Sequence, residues 1–204
     1  MPTVLLTAFE PYDRWPENAS WLALVELTRE LPQNVKIVTR RYPVDFDVVR
    51  KRLHDDLAAD YDFALHLGQS PGLGRIHLEA MGVNVGGHST QTPDEFQPLV
   101  PDGPPAYQST LPLAAWSEQI RELGIPCQVS YHAGTYLCNA LLYLTHHFAA
   151  TRLLKTKAAF IHVPLSPLQI MNERQDWPTL ASVACAEAIR RILDSLAGPS
   201  ETLS

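Results

Sequence analysis

The chain has 204 residues, of which 46% are hydrophobic and 19% are charged. These values are typical of a folded globular protein, and the length suits one well-buried core, so we expect residues 1–204 to form a single domain. The formal net charge is −6, and the sequence has no long run of lysine or arginine. Nucleic acid and anionic membranes are therefore disfavoured as partners.

The cysteines and the N-terminal residues bear on the cell compartment. The first apolar run is too short for a secretory signal, and no apolar run is long enough to cross a bilayer. Cys127, Cys138 and Cys185 are an odd, sparse set without metal-binding spacing. We therefore expect a cytoplasmic protein with free thiols, and the sequence predicts neither a metal nor a cofactor.

Strands and helices alternate along the first third of the chain. The predicted strands cover residues 3–8, 35–39 and 61–67, and the helices between them start at Asn18 or Ser20 and at Asp45 or Asp47. The first helix is expected to bury Leu22, Val25 and Leu31. A glycine-rich turn at residues 68–74 follows, and it lacks the pattern of a phosphate-binding or dinucleotide-binding loop.

The alternation continues after a long irregular segment. Residues 76–85 predict a bent strand or a strand pair, and the proline-rich residues 86–112 predict a long loop, either a mobile segment or a lid over the site. Further strands are predicted at 126–130 and 158–163, and helices at 113–123, 136–148 and 179–196, before a polar tail at 198–204. This pattern predicts a three-layer α/β/α sandwich with a mostly parallel, twisted central sheet.

Residues 133–139 are the best candidate for chemistry. An Ala-Gly-Thr turn leads from a predicted strand into an apolar helix, and Cys138 falls in the first turn of that helix. A helix N-terminus presents unpaired N–H groups and a partial positive charge, which favour the thiolate, the form that attacks carbonyls. Taken alone, Cys138 is also compatible with a small buried hydrophobic residue, because a lone cysteine needs partners to act as a nucleophile.

Two further residues supply the groups that a thiol nucleophile needs. His162 ends the strand predicted at 158–163 and is suited to act as a base and then as an acid. Glu79, just past the glycine-rich turn, is suited to orient that imidazole. We expect all three residues to gather at the C-terminal ends of strands. The alternatives are a core role for His162 and a solvated strand-end charge for Glu79.

Other histidines leave alternatives open. His132 lies near Cys138 in sequence and is a rival base. His66, His77 and His88 raise the question of a metal site, but they lack the i, i+4 spacing of a zinc-binding helix, and we expect none.

The motifs together resemble one family, the type I pyroglutamyl peptidases, also called pyrrolidone-carboxylate peptidases. The resemblance covers nearly the whole chain. The matching segments, in order, are TAFEPY at 7–12, NASW at 18–21, GQS at 68–70, EAMGVNV at 79–85, AYQSTLP at 106–112, GIP at 124–126, AGTYLCN at 133–139 and FIHVP at 160–164. Each segment alone is weak, but their shared order is highly specific.

The resemblance implies a cysteine exopeptidase that removes an N-terminal pyroglutamyl residue from peptides through a thioester, without a cofactor. The family's triad falls on Glu79, Cys138 and His162. Its substrate pocket falls on Phe9, Tyr12, Gln69 and Tyr136. Aromatic faces suit the flat lactam ring, and an amide such as Gln69 can read its polar groups. The family also implies a homo-oligomer, either a dimer or a tetramer.

The chain departs from the family at several positions. Tyr12 and Tyr136 stand where phenylalanine is usual, Ala80 replaces an arginine after the triad glutamate, and Tyr131-His132 replaces Asn-Thr. The segment at residues 86–92 is longer than in the family and lacks its arginine before Pro-Asp. The missing arginine leaves a pyroglutamyl-binding homologue of low activity as the first alternative. A nucleoside-handling enzyme is the second, because the family's sheet resembles that of nucleoside phosphorylases, although the sequence has no clear phosphate cradle.

Overall fold

The computed structural model describes residues 1–88 and 90–197, so the tail predicted at 198–204 lies outside the described residues. The strands are β1 (Thr3–Phe9), β2 (Lys36–Tyr42), β3 (Phe63–Gln69), β4 (Ile76–Glu79), β5 (Met81–Val83), β6 (Ala106–Gln108), β7 (Cys127–Ser130) and β8 (Lys157–Val163). The α-helices are α1 (Ala19–Leu27), α2 (Phe46–Asp56), α3 (Leu113–Glu122), α4 (Leu137–Thr151) and α5 (Ser182–Leu196). Within the described ranges, none of these helices has both the length and the apolar character that a membrane crossing requires.

Six of the strands form one sheet in the order β2-β1-β3-β8-β4-β7. Every neighbouring pair is parallel except β4 with β8, which run in opposite directions. β5 and β6 form a separate antiparallel pair. The sheet is therefore mostly parallel, as the sequence predicts, with a reversed edge formed by β4 and β7.

Helices cover both faces of this sheet. Buried residues of α1, α3 and α5 share one hydrophobic core with one face, and those of α2 and α4 share a second core with the other face. Successive side chains of a strand point to opposite faces, so β8 contributes Ile161 to the first core and Phe160 to the second. This arrangement confirms the predicted three layers.

The predicted buried stripe of α1 is wrong. Val25 is 39% exposed and Leu31, beyond the helix, is 40% exposed, whereas the helix buries Ala23 and Leu24. The reason is that this short helix is apolar on most sides, so residue spacing alone does not select its inner face. Asn18 is the N-cap, because its side chain accepts a hydrogen bond from the Ser20 N–H.

The segment at 86–112 is more ordered than its prolines suggest. It contains β6, a short 3-10 turn at Pro93–Glu95 and an isolated bridge between Gly86 and Gln97. The Asn84 side chain donates to the Val100 carbonyl at 2.7 Å, and Arg50 of α2 donates to the Leu99 carbonyl at 2.9 Å. The described part of the segment is thus attached to α2 and to Asn84, the residue that follows β5.

Candidate active site

Cys138 is the second residue of α4, in the first turn as predicted from the sequence. The preceding turn requires a left-handed backbone at Gly134, where φ is 81° and an L side chain would be strained. Tyr136 is the N-cap, and the first intrahelical acceptor is its carbonyl, which pairs with the Ala140 N–H. The backbone N–H of Cys138 therefore lies among the helix donors that have no partner within the helix.

Gly68 leaves room for the sulfur. A Cβ at this position of β3 would lie 2.5 Å from Phe160 Cζ, which is closer than real Cβ contacts allow, and 3.1 Å from Cys138 Sγ, which is a tight contact. Gly68 pairs with His162 on the adjacent strand. The absence of a side chain on β3 thus lets the thiol approach the sheet beside the imidazole.

His162 and Glu79 form a buried pair. The distance from His162 Nδ1 to Glu79 Oε1 is 2.8 Å, and the two residues are 7% and 1% exposed. Because a carboxylate only accepts, this contact places a proton on Nδ1 and leaves Nε2 for the thiol. The three residues proposed from the sequence therefore lie together, in the order carboxylate, imidazole, thiol.

The pair's charges oppose the effect of burial. Burial by itself lowers the pKa of His162, but the charge and hydrogen bond of Cys138 and those of Glu79 outweigh it and raise this pKa to about 10. Burial likewise acts to raise the pKa of Glu79, but the hydrogen bond from His162 and its charge lower it overall. These contacts therefore favour a charged imidazolium beside the Glu79 carboxylate at neutral pH.

Glu79 does not reach the site in the expected way. The sequence predicted that all three groups would gather at C-terminal strand ends, but β4 runs antiparallel to β8, so Glu79 pairs with Phe160 and His77 pairs with His162. Glu79 therefore meets His162 on a diagonal between the strands. The rule for parallel strands fails here because β4 belongs to the reversed edge.

His77 is a site residue that the sequence analysis missed as such. It lies two residues before Glu79 and so on the same face of β4, with its Nδ1 3.9 Å from Glu79 Oε1. Its Nε2 lies 2.9 Å from the amide nitrogen of Gln128. The amide oxygen of Gln128 accepts a hydrogen bond from Arg75 at 3.3 Å. The i, i+2 spacing of the two residues is the signal that could have identified it.

A small cavity of about 290 Å³ opens beside the thiol. Its lining contains the four residues that the family resemblance assigns to substrate: Phe9, Tyr12, Gln69 and Tyr136. Three further lining residues, Asn18, Val44 and Leu137, were not assigned to the pocket from the sequence. Burial, with the charges of Cys138, Asp13 and Tyr136, raises the pKa of Tyr12 to about 12, so its ring is a neutral wall.

The Tyr136 wall is supported from outside by two rings. Phe46 of α2 meets it edge-on at a centroid distance of 5.2 Å, and His88 does so at 4.7 Å. The Gly87 N–H also donates to the Thr135 carbonyl at 2.9 Å. The start of the 86–112 segment therefore contacts the site through Tyr136.

Thr92, which stands where the family has arginine, forms hydrogen bonds with the nearby Glu95.

A second, open cleft of about 1010 Å³ adjoins the small cavity and shares Cys138 with it. His162, Glu79 and His77 line this cleft, and so does His132. His132 is exposed, and among the described residues its only hydrogen bond is from its backbone N–H to Ser130. The geometry therefore favours His162 over His132 as the base.

The remaining histidines do not come together. His66 is buried between two threonines, His77 lines the cleft, and His88 lies against Tyr136. Across residues 1–88 and 90–197, no group of three or more potential ligands has a geometry that would hold a metal ion. All three cysteines are free.

A model of the family described as pyroglutamyl peptidase matches residues 2–196. A pyrrolidone-carboxylate peptidase of Clavibacter michiganensis is 37% identical over 193 residues, which cover 91% of this chain and 89% of that protein. One from Pseudomonas fluorescens strain SBW25 is 38% identical over 192 residues, covering 89% of this chain and 86% of its own. The similarity thus extends over nearly the full length of each relative.

Solved structures agree with these matches. The pyrrolidone carboxyl peptidase of Thermococcus litoralis aligns with a TM-score of 0.86 and 31% identity, over 95% of this chain and 92% of that one. The enzyme of Fervidobacterium islandicum AW-1 aligns with a TM-score of 0.89 and 29% identity, over 96% and 98%.

Proposed function

We propose that this chain, which belongs to the pyroglutamyl peptidase family, is a cysteine exopeptidase that hydrolyses the bond after an N-terminal pyroglutamyl residue. The observation that carries the proposal is the buried His162–Glu79 pair at 2.8 Å beside Cys138, at the mouth of a cavity lined by aromatic rings and an amide. The proposal assigns Cys138 as nucleophile, His162 as base and acid, and Glu79 as the group that orients His162.

The reaction proceeds in two halves. The Cys138 sulfur, having given its proton to His162, attacks the pyroglutamyl carbonyl carbon, and the backbone N–H of Cys138 stabilises the oxyanion; one such donor is typically worth about 10²–10³ in rate. The C–N bond breaks as His162 Nε2 gives its proton to the leaving amine. The pyroglutamyl group stays bound to the Cys138 sulfur as a thioester. His162 then takes a proton from water as the water oxygen attacks the thioester carbon. The C–S bond breaks, the proton passes from His162 back to the Cys138 sulfur, and pyroglutamate is released.

Selectivity for the cyclised residue follows from the small cavity. Phe9, Tyr12 and Tyr136 supply ring faces for the flat lactam. Gln69 supplies an amide for its polar groups. A peptide with a free, charged amino terminus would bury a cation among these groups without a carboxylate partner, which is costly. We therefore expect no hydrolysis of peptides whose first residue is not cyclised.

Peptides with an N-terminal pyroglutamate are the expected partners of this chain, without nucleic acid or membrane. Free cysteines suit a reducing compartment, so we assign the protein to the cytoplasm. We assign residues 1–204 to one domain and, from the family resemblance, expect a dimer or tetramer, which sedimentation would measure. The start of the 86–112 segment, which lies against Tyr136, is suited to cover a bound pyroglutamyl ring.

A pyroglutamyl-binding homologue of low activity is the second candidate. Its support is Thr92, which stands before Pro93-Asp94 in place of the family's arginine and pairs with Glu95. This candidate predicts that pyroglutamate binds and that turnover of pyroglutamyl amides is negligible.

A fluorogenic pyroglutamyl amide tests the proposal. We expect the wild type to release the fluorophore and Cys138→Ser to lose at least about 10³ in kcat, because the hydroxyl is a far weaker nucleophile here. Cys127→Ala, which removes a buried thiol remote from the cleft, is the matched control and should keep its activity. Hydrolysis that survives Cys138→Ser would overturn the mechanism, and phosphorolysis of nucleosides would instead support the nucleoside-handling alternative.

A further inference from the structure

The orientation of the Gln69 side-chain amide is fixed by its surroundings. The Ala19 N–H lies 2.8 Å from Gln69 Oε1. A backbone N–H can only donate, so the atom that faces Ala19 must be the amide oxygen. Since Ala19 is the first residue of α1, this bond also satisfies one of the helix's unpaired donors.

A second glutamine, Gln169, meets the same oxygen. Its Nε2 lies 2.7 Å from Gln69 Oε1 and 2.9 Å from the Glu17 carbonyl oxygen. The orientation of Gln169 is fixed in turn, because the Ser166 N–H lies 2.8 Å from its Oε1. Only this arrangement of the two amides gives acceptors to the Ala19 N–H, the Ser166 N–H and the Gln169 N–H₂.

The consequence falls on the other end of Gln69. Its Nε2 is buried, and no hydrogen-bond acceptor for it is present among residues 1–88 and 90–197. Gln69 is 4% exposed and lines the small cavity with Phe9, Tyr12 and Cys138. A buried amide N–H₂ without a partner is costly. A ligand whose carbonyl oxygen lies at this place would supply the missing hydrogen-bond acceptor.

We propose that Gln169 is a specificity-determining positioning residue, which holds the Gln69 amide so that its N–H₂ group is presented to the lactam carbonyl of the substrate. The inference rests on the proposed function and deepens it. Gln169 lies on the 3-10 turn Pro167–Ile170, after β8, and does not itself line the cavity. It acts through Gln69 and does not touch the reacting atoms.

Two substitutions separate this role from a purely structural one. Gln169→Leu removes both the donor to Gln69 Oε1 and the acceptor for the Ser166 N–H. Gln169→Glu keeps the acceptor for Ser166 but turns an oxygen towards Gln69 Oε1, so the two oxygens repel and the amide loses its orientation. If Gln169 only stabilised its turn, Gln169→Glu would behave like the wild type.

The assay is steady-state hydrolysis of the fluorogenic pyroglutamyl amide. We expect both variants to raise KM by about tenfold, the value of roughly one hydrogen bond, with kcat changed less than about twofold. Gln169→Glu should be at least as impaired as Gln169→Leu. Leu168→Ala, an exposed neighbour on the same turn, is the matched control and should keep the wild-type KM. Thermal melting checks that all variants remain folded.

A double-mutant cycle completes the test. In a Gln69→Leu background, Gln169→Glu should raise KM no further, because there is no amide left to orient. A wild-type KM in Gln169→Glu, or additive effects in the cycle, would overturn the inference. A wild type that does not hydrolyse the substrate at all would instead contradict the proposed function, so the two failures are distinguishable.

Discussion

Two buried histidines lie on neighbouring strands of the same sheet and have opposite electrostatic properties. His66 of β3 and His162 of β8 both pack against the ring of Phe160, with centroid distances of 6.4 and 4.8 Å. Yet the pKa of His66 is lowered to about 3, whereas that of His162 is raised to about 10. Burial alone acts to lower both values, so it does not explain the difference.

The partners of the two rings explain it. Thr145 donates its hydroxyl proton to the Leu141 carbonyl, so its oxygen accepts from His66 Nε2 at 2.9 Å, and Thr7 donates to His66 Nδ1 at 2.8 Å. Both nitrogens of a neutral imidazole are therefore paired. Protonating Nδ1 as well would replace the acceptor of the Thr7 hydroxyl proton with a second donor. His162 meets two groups that carry negative charge when ionised, and these favour its protonated form.

Glu79→Gln should have the largest effect on the difference between the two histidines, because it removes a charge beside His162 alone. Removing the carboxylate's charge takes away one of the two groups that raise the pKa of His162, and a neutral amide oxygen binds the imidazolium less strongly than a carboxylate. We expect kcat/KM for the pyroglutamyl amide to fall by about 10²–10⁴, and the alkaline limb of its pH profile to move to lower pH. Glu118→Gln, on the exposed side of α3, is the control, and an unchanged pH profile in Glu79→Gln would contradict the assignment.

His66→Gln tests the other side of the comparison through stability. The folded state holds the pKa of His66 near 3 instead of 6.5, so the unfolded chain binds more protons between these pH values and stability falls as pH falls through this range. In His66→Gln, the slope of the unfolding free energy against pH should be smaller than in the wild type, by at most about 1.4 kcal/mol per pH unit. Urea unfolding between pH 4 and 7 measures it, with the exposed His132→Gln as control; identical slopes would contradict the prediction.

Thr145→Val has the smallest expected effect. It leaves the His66 Nε2–H without an acceptor while nearly keeping the side-chain shape, which typically costs about 1–3 kcal/mol of unfolding free energy. Thermal melting measures this loss, and kcat/KM should stay within about twofold of the wild type. An activity loss comparable to that of Glu79→Gln would mean that His66 belongs to the catalytic groups.

The sequence was sufficient for the features that depend on local pattern and on motif order. The layered fold and the first-turn position of Cys138 follow from hydrophobic periodicity and turn residues. The inner face of α1 does not, because the helix is apolar on most sides. The reversed direction of β4 is a pairing between residues about 80 positions apart, and nothing in residues 76–79 encodes it. The pairing of Gln69 with Gln169 likewise depends on amide orientations that only the assembled structure fixes.

The direction of β4 also decides which part of the site meets water. A strand parallel to β8 and ending level with it would bring its last residue beside Val163, as β3 brings Gln69. β4 runs inward from the rim instead, and Glu79 lies level with Phe160, below His162. The permanent charge therefore lies at the floor of the site and the reacting sulfur at its mouth. The site is therefore polarised along one axis by strand direction and not by residue type alone.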